Sequence, residues 1–409
     1  MARLKKILPA IFKFSLLFLI LIAVLEISSR LILESKERAA LSSIPETLNV
    51  YEKMDDHDPS HWVLKPDFRA TFADLIREKE RTNKWFGLKL LRRWMETYYF
   101  TPGQTAISIN SRGLRGPEIE KAQEGSTRII CLGDSLTFGL PGPFSYPRVI
   151  EGELKKRGWD AEVINAGVEG YSIENLGKQI DCLAGFNPDI VTLFIGWNDI
   201  YSDRNGLSSP WINYLCRRSN FLTLIRRTFR KIYRLLKFKS DLPPHILPDS
   251  LTGKCYEKTE VSYKPRFLDE LIDLLDELRA KIPPAKIFLI TLPSLFDLKT
   301  APDNDSLKIG HLPKYTNNAY ILASMVYKYN EDLRRLSGDR NYYLIDLEKY
   351  ADSEFIPKKD YFFDACHLIP PAQISIGEYI AGVLADSGVL KCKTSKPERL
   401  KDVTMSLTE

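Results

Sequence analysis

With 409 residues the chain has room for one sizeable α/β domain plus additions, and 44% hydrophobic with 27% charged residues is a globular composition, which excludes a largely disordered chain. A formal net charge of +5 is too small to argue for a nucleic-acid partner. The six cysteines show no CxxC metal spacing, and neither a dinucleotide fingerprint nor a phosphate-binding lysine loop occurs, so the sequence implies no cofactor and no metal.

Arg3, Lys5 and Lys6 precede an apolar run from Ile7 to Ile27 that is interrupted only by Pro9, Lys13 and Glu26. That is about the length a bilayer requires. The residues after Leu25 are Glu26-Ile27-Ser28-Ser29-Arg30, a poor cleavage site, so residues 1–33 read as an uncleaved single-pass anchor rather than a cleaved signal peptide. The positive N-terminal flank puts the N-terminus in the cytoplasm and the bulk of the chain outside. The expected address is the bacterial inner (cytoplasmic) membrane, with the folded part on its periplasmic or extracellular side.

Residues 34–126 read as a stalk and a small accessory region. Glu34–Ala40 continues the helix, and His61–Pro66 and Ile107–Asn110 read as short strands. Between them Trp85, Leu88, Leu91, Trp94 and Met95 recur at helical spacing, a stripe that favours core packing over a membrane contact. The basic, glycine-punctuated segment Asn110–Gly116 has no role legible from its residues.

From Arg128 the pattern alternates. Strands are expected at Arg128–Leu132, Ala161–Ile164, Ile190–Ile195, Lys286–Thr291 and Tyr342–Leu347, and helices at Ser145–Arg157, Ile173–Gly185, Lys264–Lys281 and Asn317–Leu336. Near-continuous apolar strands between amphipathic helices predict a central parallel sheet covered on both faces, a three-layer α/β/α domain over residues 127–390. An insertion at 211–245 carries Arg217, Arg218, Arg226, Arg227, Arg230, Lys231, Arg234, Lys237 and Lys239 with no acidic residue over Arg217–Lys239. Leu222, Ile225, Phe229, Ile232 and Leu236 fall on one helical face there. Two readings stand side by side: a basic amphipathic helix lying on an anionic membrane surface, or a helix packed on the domain with a solvated basic face. Cys216 and Cys255 flank this insertion and can pair in an oxidising compartment, whereas Cys131 and Cys366 fall in core and site segments suited to free thiols. Residues 391–409 form a polar C-terminal tail.

Four segments carry chemistry. Gly133-Asp134-Ser135-Leu136 directly follows the apolar run Ile129–Leu132, so a buried strand ends in a glycine turn that lifts a serine hydroxyl to the rim of the sheet. Asn165–Gly170 follows the second strand, Gly196-Trp197-Asn198-Asp199 closes the third, and Asp364-Ala365-Cys366-His367 stands near the C-terminus. Asp58-Pro59-Ser60-His61 also fits Asp-x-x-His, but it precedes the first core strand and reads as a polar surface loop. His57, His245 and His311 have no comparable context and default to surface or core histidines.

In this order the four segments resemble the serine, glycine, asparagine and histidine blocks of the SGNH (GDSL) hydrolase family, over roughly Arg128 to Ala381. The resemblance implies a flavodoxin-like SGNH hydrolase fold, with Ser135 as nucleophile, His367 as general base and Asp364 orienting the imidazole. It also implies an oxyanion hole made of the Ser135 and Gly170 backbone N–H groups and the Asn198 side-chain amide. Asn110–Gly116 resembles the lead-in of many membrane-anchored bacterial members. The residue types suit the chemistry: serine needs a base near neutrality, and an asparagine amide cannot be titrated away.

The expected activity is hydrolysis of an acyl-ester substrate, an O-acylated envelope glycan or lipid, through an acyl-enzyme. Two alternatives remain at this level: transfer of the acyl group to a sugar hydroxyl by the same triad, and a non-catalytic envelope scaffold that keeps the fold. The membrane is the expected partner, through the N-terminal helix and, on one of the two readings above, through Arg217–Lys239. Nucleic acid is not expected.

Overall fold

The computed structural model describes residues 20–32, 50–53, 62–81, 85–120, 125–201, 256–258, 267–313, 318–340 and 342–391, with isolated positions between 219 and 228 and at 316. Two short antiparallel pairs come first: β1 (Tyr51–Lys53) with β2 (Trp62–Leu64), and β3 (Arg69–Thr71) with β4 (Thr105–Ser108). Helices Phe72–Arg81 and Trp85–Thr97 lie between β3 and β4. Phe72, Leu91, Met95 and Ala106 form a small buried cluster of their own, so Leu91 and Met95 of the expected stripe pack in a core, while the side chains of Trp85 and Leu88 lie outside the described residues. Val50, Leu64, Ile109 and Leu114, by contrast, join the main hydrophobic core.

That core surrounds β5 (Thr127–Gly133), β6 (Ala161–Gly167), β7 (Ile190–Phe194), β8 (Lys286–Ile290) and β9 (Tyr343–Ile345). Every residue of β5 and β7 is buried, which is why these strands read as unbroken apolar runs rather than alternating ones. All pairings are parallel, in the order β6-β5-β7-β8-β9. This is the flavodoxin-like order, whose switch point lies between the first and third strands. Gly133 pairs with Gly167 on one side and Phe194 on the other, so β5, β6 and β7 end level and their following turns meet.

Helices flank the sheet. Tyr146–Lys156 buries Tyr146, Ile150 and Leu154 and packs on the C-terminal helix Pro370–Asp386, which buries Ala372, Ile376, Ile380 and Leu384 at a four-residue spacing. Helices Ile173–Gly177 and Ile180–Ala184 pack on Phe267–Lys281. A single helix was expected over Ile173–Gly185. The division follows Gly177, a weak helix former, where Lys178 and Gln179 donate to Asn175 and Leu176, only three residues back.

Residues 20–32 are helical and present Ile20, Leu21, Ile22, Val24, Ile27, Leu31 and Ile32 exposed. Among the described residues no helix is long and apolar enough to cross a membrane. Residues 1–19 of the expected anchor lie outside the described residues, as do Asp58, His61, Cys216, Cys255 and most of Arg217–Lys239. The Glu26 carboxylate accepts from Ser219 Oγ at 2.8 Å and from the Phe221 N–H at 3.2 Å, which ties the N-terminal helix to the start of the basic segment. Cys131, Cys182 and Cys366 are free thiols, and Cys131 and Cys366 are buried.

Candidate active site

Strand β5 delivers the serine. Its last residue, Gly133, has no room for a side chain: a Cβ there would lie 2.2 Å from Thr137 Oγ1 and 2.3 Å from Phe194 O. Buried Asp134 then caps the one-turn helix Ser135–Phe138, its carboxylate accepting from Leu136 N at 3.0 Å. The turn leaves Ser135 partly exposed at the C-terminal rim of the sheet.

At that rim Ser135 Oγ lies 2.8 Å from His367 Nε2, and His367 Nδ1 lies 2.7 Å from Asp364 Oδ2. The other Asp364 oxygen accepts the backbone N–H groups of Cys366, at 2.9 Å, and His367, at 2.7 Å, so the carboxylate cannot swing away from the ring. Burial opposes ionisation of Asp364, but the hydrogen bond and charge of His367 and these two N–H donors outweigh it and hold its pKa down to about 2. His367 shows the reciprocal effect. Burial works against the imidazolium, while Asp364, Asp134 and Glu169 outweigh burial and raise the histidine above its usual value. Asp134 itself is pushed up to about 6 by burial, against the Leu136 N–H and His367.

Each of the expected anion-stabilising donors follows the C-terminal end of one of the level strands β5, β6 and β7. The Ser135 and Gly170 N–H groups make no hydrogen bond to the described protein. Gly170 sits at φ +78°, which a side chain would strain. Asn198 Nδ2 donates to Tyr171 O at 2.9 Å and only distantly to Asp134 Oδ2, at 3.4 Å. One amide hydrogen is therefore committed and the other is weakly held, open to a stronger acceptor. Asp364, Cys366 and His367 also bring a carboxylate, a thiol and an imidazole within 4.8 Å of one another. Burial pushes the Cys366 thiol well above its ordinary value, and His367 Nδ1 is already bonded to Asp364, so this set suits proton transfer better than metal ligation.

Several residues at the site carried no legible signal in the sequence. His311, exposed as its default reading held, stands with Nδ1 3.8 Å from Asp364 Oδ2. The Phe363 ring stacks on His367 at 5.2 Å, and Trp94 meets Phe363 edge-on at 6.3 Å. Arg115 explains the segment Asn110–Gly116. Its backbone bridges to Asn165 of β6, and its buried guanidinium, 4.5 Å from the centre of the Phe138 ring, donates to the carbonyls of Phe138, Leu140 and, at 3.3 Å, Gly142. The turn that follows the serine helix is thus held from the N-terminal side of the chain. Burial lowers the Arg115 pKa to about 10, which still leaves it charged at neutral pH. Two cavities of about 320 Å³ lie along the β6 edge, but neither Ser135 nor His367 lines them, so the chemistry here is read from the triad and not from a cavity.

A serine hydroxyl, an imidazole and a carboxylate in one hydrogen-bonded line, at the switch point of a parallel sheet, are the arrangement of an α/β serine hydrolase. The sequence places the chain within that class. The model of the GDSL-like Lipase/Acylhydrolase family matches residues 131–371, and the chain belongs to this family, as a hydrolase acting on ester bonds. Similar solved structures include an acetyl xylan esterase, AlAXEase, at 17% identity and TM-score 0.38, covering 63% of this chain and 99% of that one. The lipase/acylhydrolase from Enterococcus faecalis is similar at 16% identity and TM-score 0.39, covering 64% and 96%. A putative GDSL-like lipase from Parabacteroides merdae is similar at 16% and 0.39, covering 67% and 100%. Among curated protein sequences none matches the chain.

Two predictions follow from these contacts. Only neutral imidazole can take the serine proton, so activity disappears as pH falls through the raised pKa of His367, and the acid limb of kcat/KM lies above about 6.5. Asp364→Asn removes the charge that raises His367, so a pH–rate profile of that variant should show the limb displaced downward on a lower plateau. For Arg115→Met, urea unfolding should show a loss of about 1.5–3 kcal/mol from the missing charge-assisted bonds. Arg115→Lys should recover little, because one ammonium cannot span the carbonyls that the guanidinium fork reaches.

Proposed function

We propose that this chain is a serine esterase acting through an acyl-enzyme, with an O-acylated glycan or lipid of the bacterial envelope as substrate. The observation that carries the reading is the unbroken line from Ser135 Oγ to His367 Nε2 and from His367 Nδ1 to Asp364, at 2.8 and 2.7 Å. In this mechanism Ser135 attacks the ester carbonyl as His367 takes its proton. The Ser135 and Gly170 N–H groups and the Asn198 amide receive the developing negative charge. Collapse of the tetrahedral intermediate expels the alcohol, which takes the proton from His367, and water then repeats the sequence to release the acid and free the serine.

The address rests on the apolar run Ile7–Ile27, on the exposed apolar residues of helix 20–32, and on the basic N-terminal flank. In this reading the run is a single-pass anchor in the inner membrane, and the catalytic domain faces the periplasm or the exterior. The bonds from Glu26 to Ser219 and Phe221 support a basic segment that starts at the outer end of the anchor, beside the lipid headgroups.

Ser135→Ala and His367→Ala should each abolish most hydrolysis of short aryl esters while leaving the circular dichroism spectrum unchanged, since the two act as one unit. Asn198→Ala should lower kcat by about 10²–10³ with KM nearly unchanged. A loss confined to KM would assign Asn198 to substrate binding instead. Deleting residues 1–33 should move the protein from the membrane pellet to the soluble fraction after a high-salt wash, which screens any hold of the basic segment Arg217–Lys239 on anionic lipid, and a truncated protein that still pellets after that wash would overturn the anchor.

A further inference from the structure

One of the three expected donors, the Gly170 N–H, has an unusual support. The N–H of Gly170 belongs to the Glu169–Gly170 peptide, and the carbonyl of that same peptide accepts from the indole Nε1 of Trp62 at 3.3 Å. Trp62 lies on β2, far upstream of the hydrolase sheet in sequence. The two polar groups of a trans peptide point in opposite directions, so holding the carbonyl sets the direction of the N–H. This peptide needs holding from outside. Glycine at φ +78° offers little resistance to a peptide rotation, and no helix or strand contains it. The other two donors have internal supports: the Asp134 cap fixes the start of the serine helix, and Tyr171 O fixes the Asn198 amide.

Trp62 is itself clamped. Its backbone carbonyl accepts from Tyr171 OH, and its ring meets Tyr171 edge-on at 5.7 Å. A Cβ on Gly170 would lie 3.2 Å from Trp62 Cζ2, so the indole rests directly against the glycine. The strand register explains why two side chains reach this one turn. Lys53 pairs with Trp62 and Tyr51 with Leu64, which puts Tyr51 and Trp62 on the same face of the hairpin. Tyr51 OH donates to the Glu169 carboxylate while Trp62 donates to the Glu169 carbonyl, so the hairpin grips that residue at both its side chain and its backbone.

We propose that Trp62 is a positioning residue for ester hydrolysis: its indole N–H orients the Glu169–Gly170 peptide so that the Gly170 N–H faces the oxyanion, and the β1–β2 hairpin thereby completes the active site. The proposal rests on the reading of Gly170 as an oxyanion donor. A donor that is loosened rather than lost costs less than the 10²–10³ of outright removal, so a decrease of about tenfold in kcat is expected for Trp62→Phe, which keeps an aromatic ring but has no N–H.

The test uses the full chain in detergent with a short aryl ester, and compares Trp62→Phe, Trp62→His and Ser135→Ala with the parent. Expected are a kcat about tenfold lower for Trp62→Phe with KM within about twofold, and partial recovery in Trp62→His, whose ring again presents an N–H. The affinity for an aryl boronic acid, whose tetrahedral adduct with Ser135 is an anionic boronate with a hydroxyl in the oxyanion position, should weaken in parallel with kcat. Thermal melting separates this from a packing defect, since a merely structural role lowers the melting temperature equally in both Trp62 variants and leaves their kcat values alike. Unchanged kcat and boronate affinity in Trp62→Phe, a loss confined to KM, or no advantage of His over Phe would each overturn the role of Trp62. Full activity in Ser135→Ala would instead overturn the reading of the site itself.

Discussion

A parallel sheet gathers all of its strand C-termini at one edge, and the level ends of β5, β6 and β7 bring the candidate site residues together there. Ser135, Gly170 and Asn198 each follow one of these three strands. Their separation along the chain disappears because Gly133, Gly167 and Phe194 stand side by side in the register. His367 and Asp364 arrive from beyond the last strand, just before a C-terminal helix that packs back onto the helix following the serine turn. The parallel register of β5, β6 and β7 therefore sets the geometry at the site: a slip of one residue in any of them would displace Ser135 from the expected donors by about 3.3 Å and exchange side chains between two close-packed faces.

Electrostatics shifts the two carboxylates near His367 in opposite directions. Asp364 carries three hydrogen bonds and stays ionised, so it can fix the imidazole tautomer and stabilise the imidazolium. Asp134 is fully buried with a single strong backbone donor, and its pKa rises toward 6. Asp134 also reaches toward Asn198, which connects the cap of the serine helix to the amide expected to receive the oxyanion.

The segment ahead of the sheet is part of this arrangement rather than an appendage. Leu64, Ile109 and Leu114 are buried in the main core. Arg115 holds the turn after the serine helix, Trp62 and Tyr51 hold the turn that contains Gly170, and Trp94 stands against the Phe363–His367 stack. Catalytic loops on a sheet edge are short of internal support, and here packed side chains from upstream supply it.

The sequence alone determined the architecture and marked out the candidate site residues, because the signals for both are local. Unbroken apolar runs are readable where strands are buried on both faces, and the serine, glycine, asparagine and histidine segments are each contiguous. Element ends moved by a few residues, as at Ile173–Gly185, where a balance of helix propensity and tertiary packing divides one expected helix into two. What only the tertiary structure decided are the contacts between distant parts of the chain. Arg115 lies more than twenty residues from the carbonyls it holds, and Trp62 more than a hundred from Glu169. No periodicity or composition marks an arginine or a tryptophan as a support for a turn elsewhere, since the partner in each case is a backbone carbonyl that every residue possesses. Such roles exist only once folding has brought the two segments together.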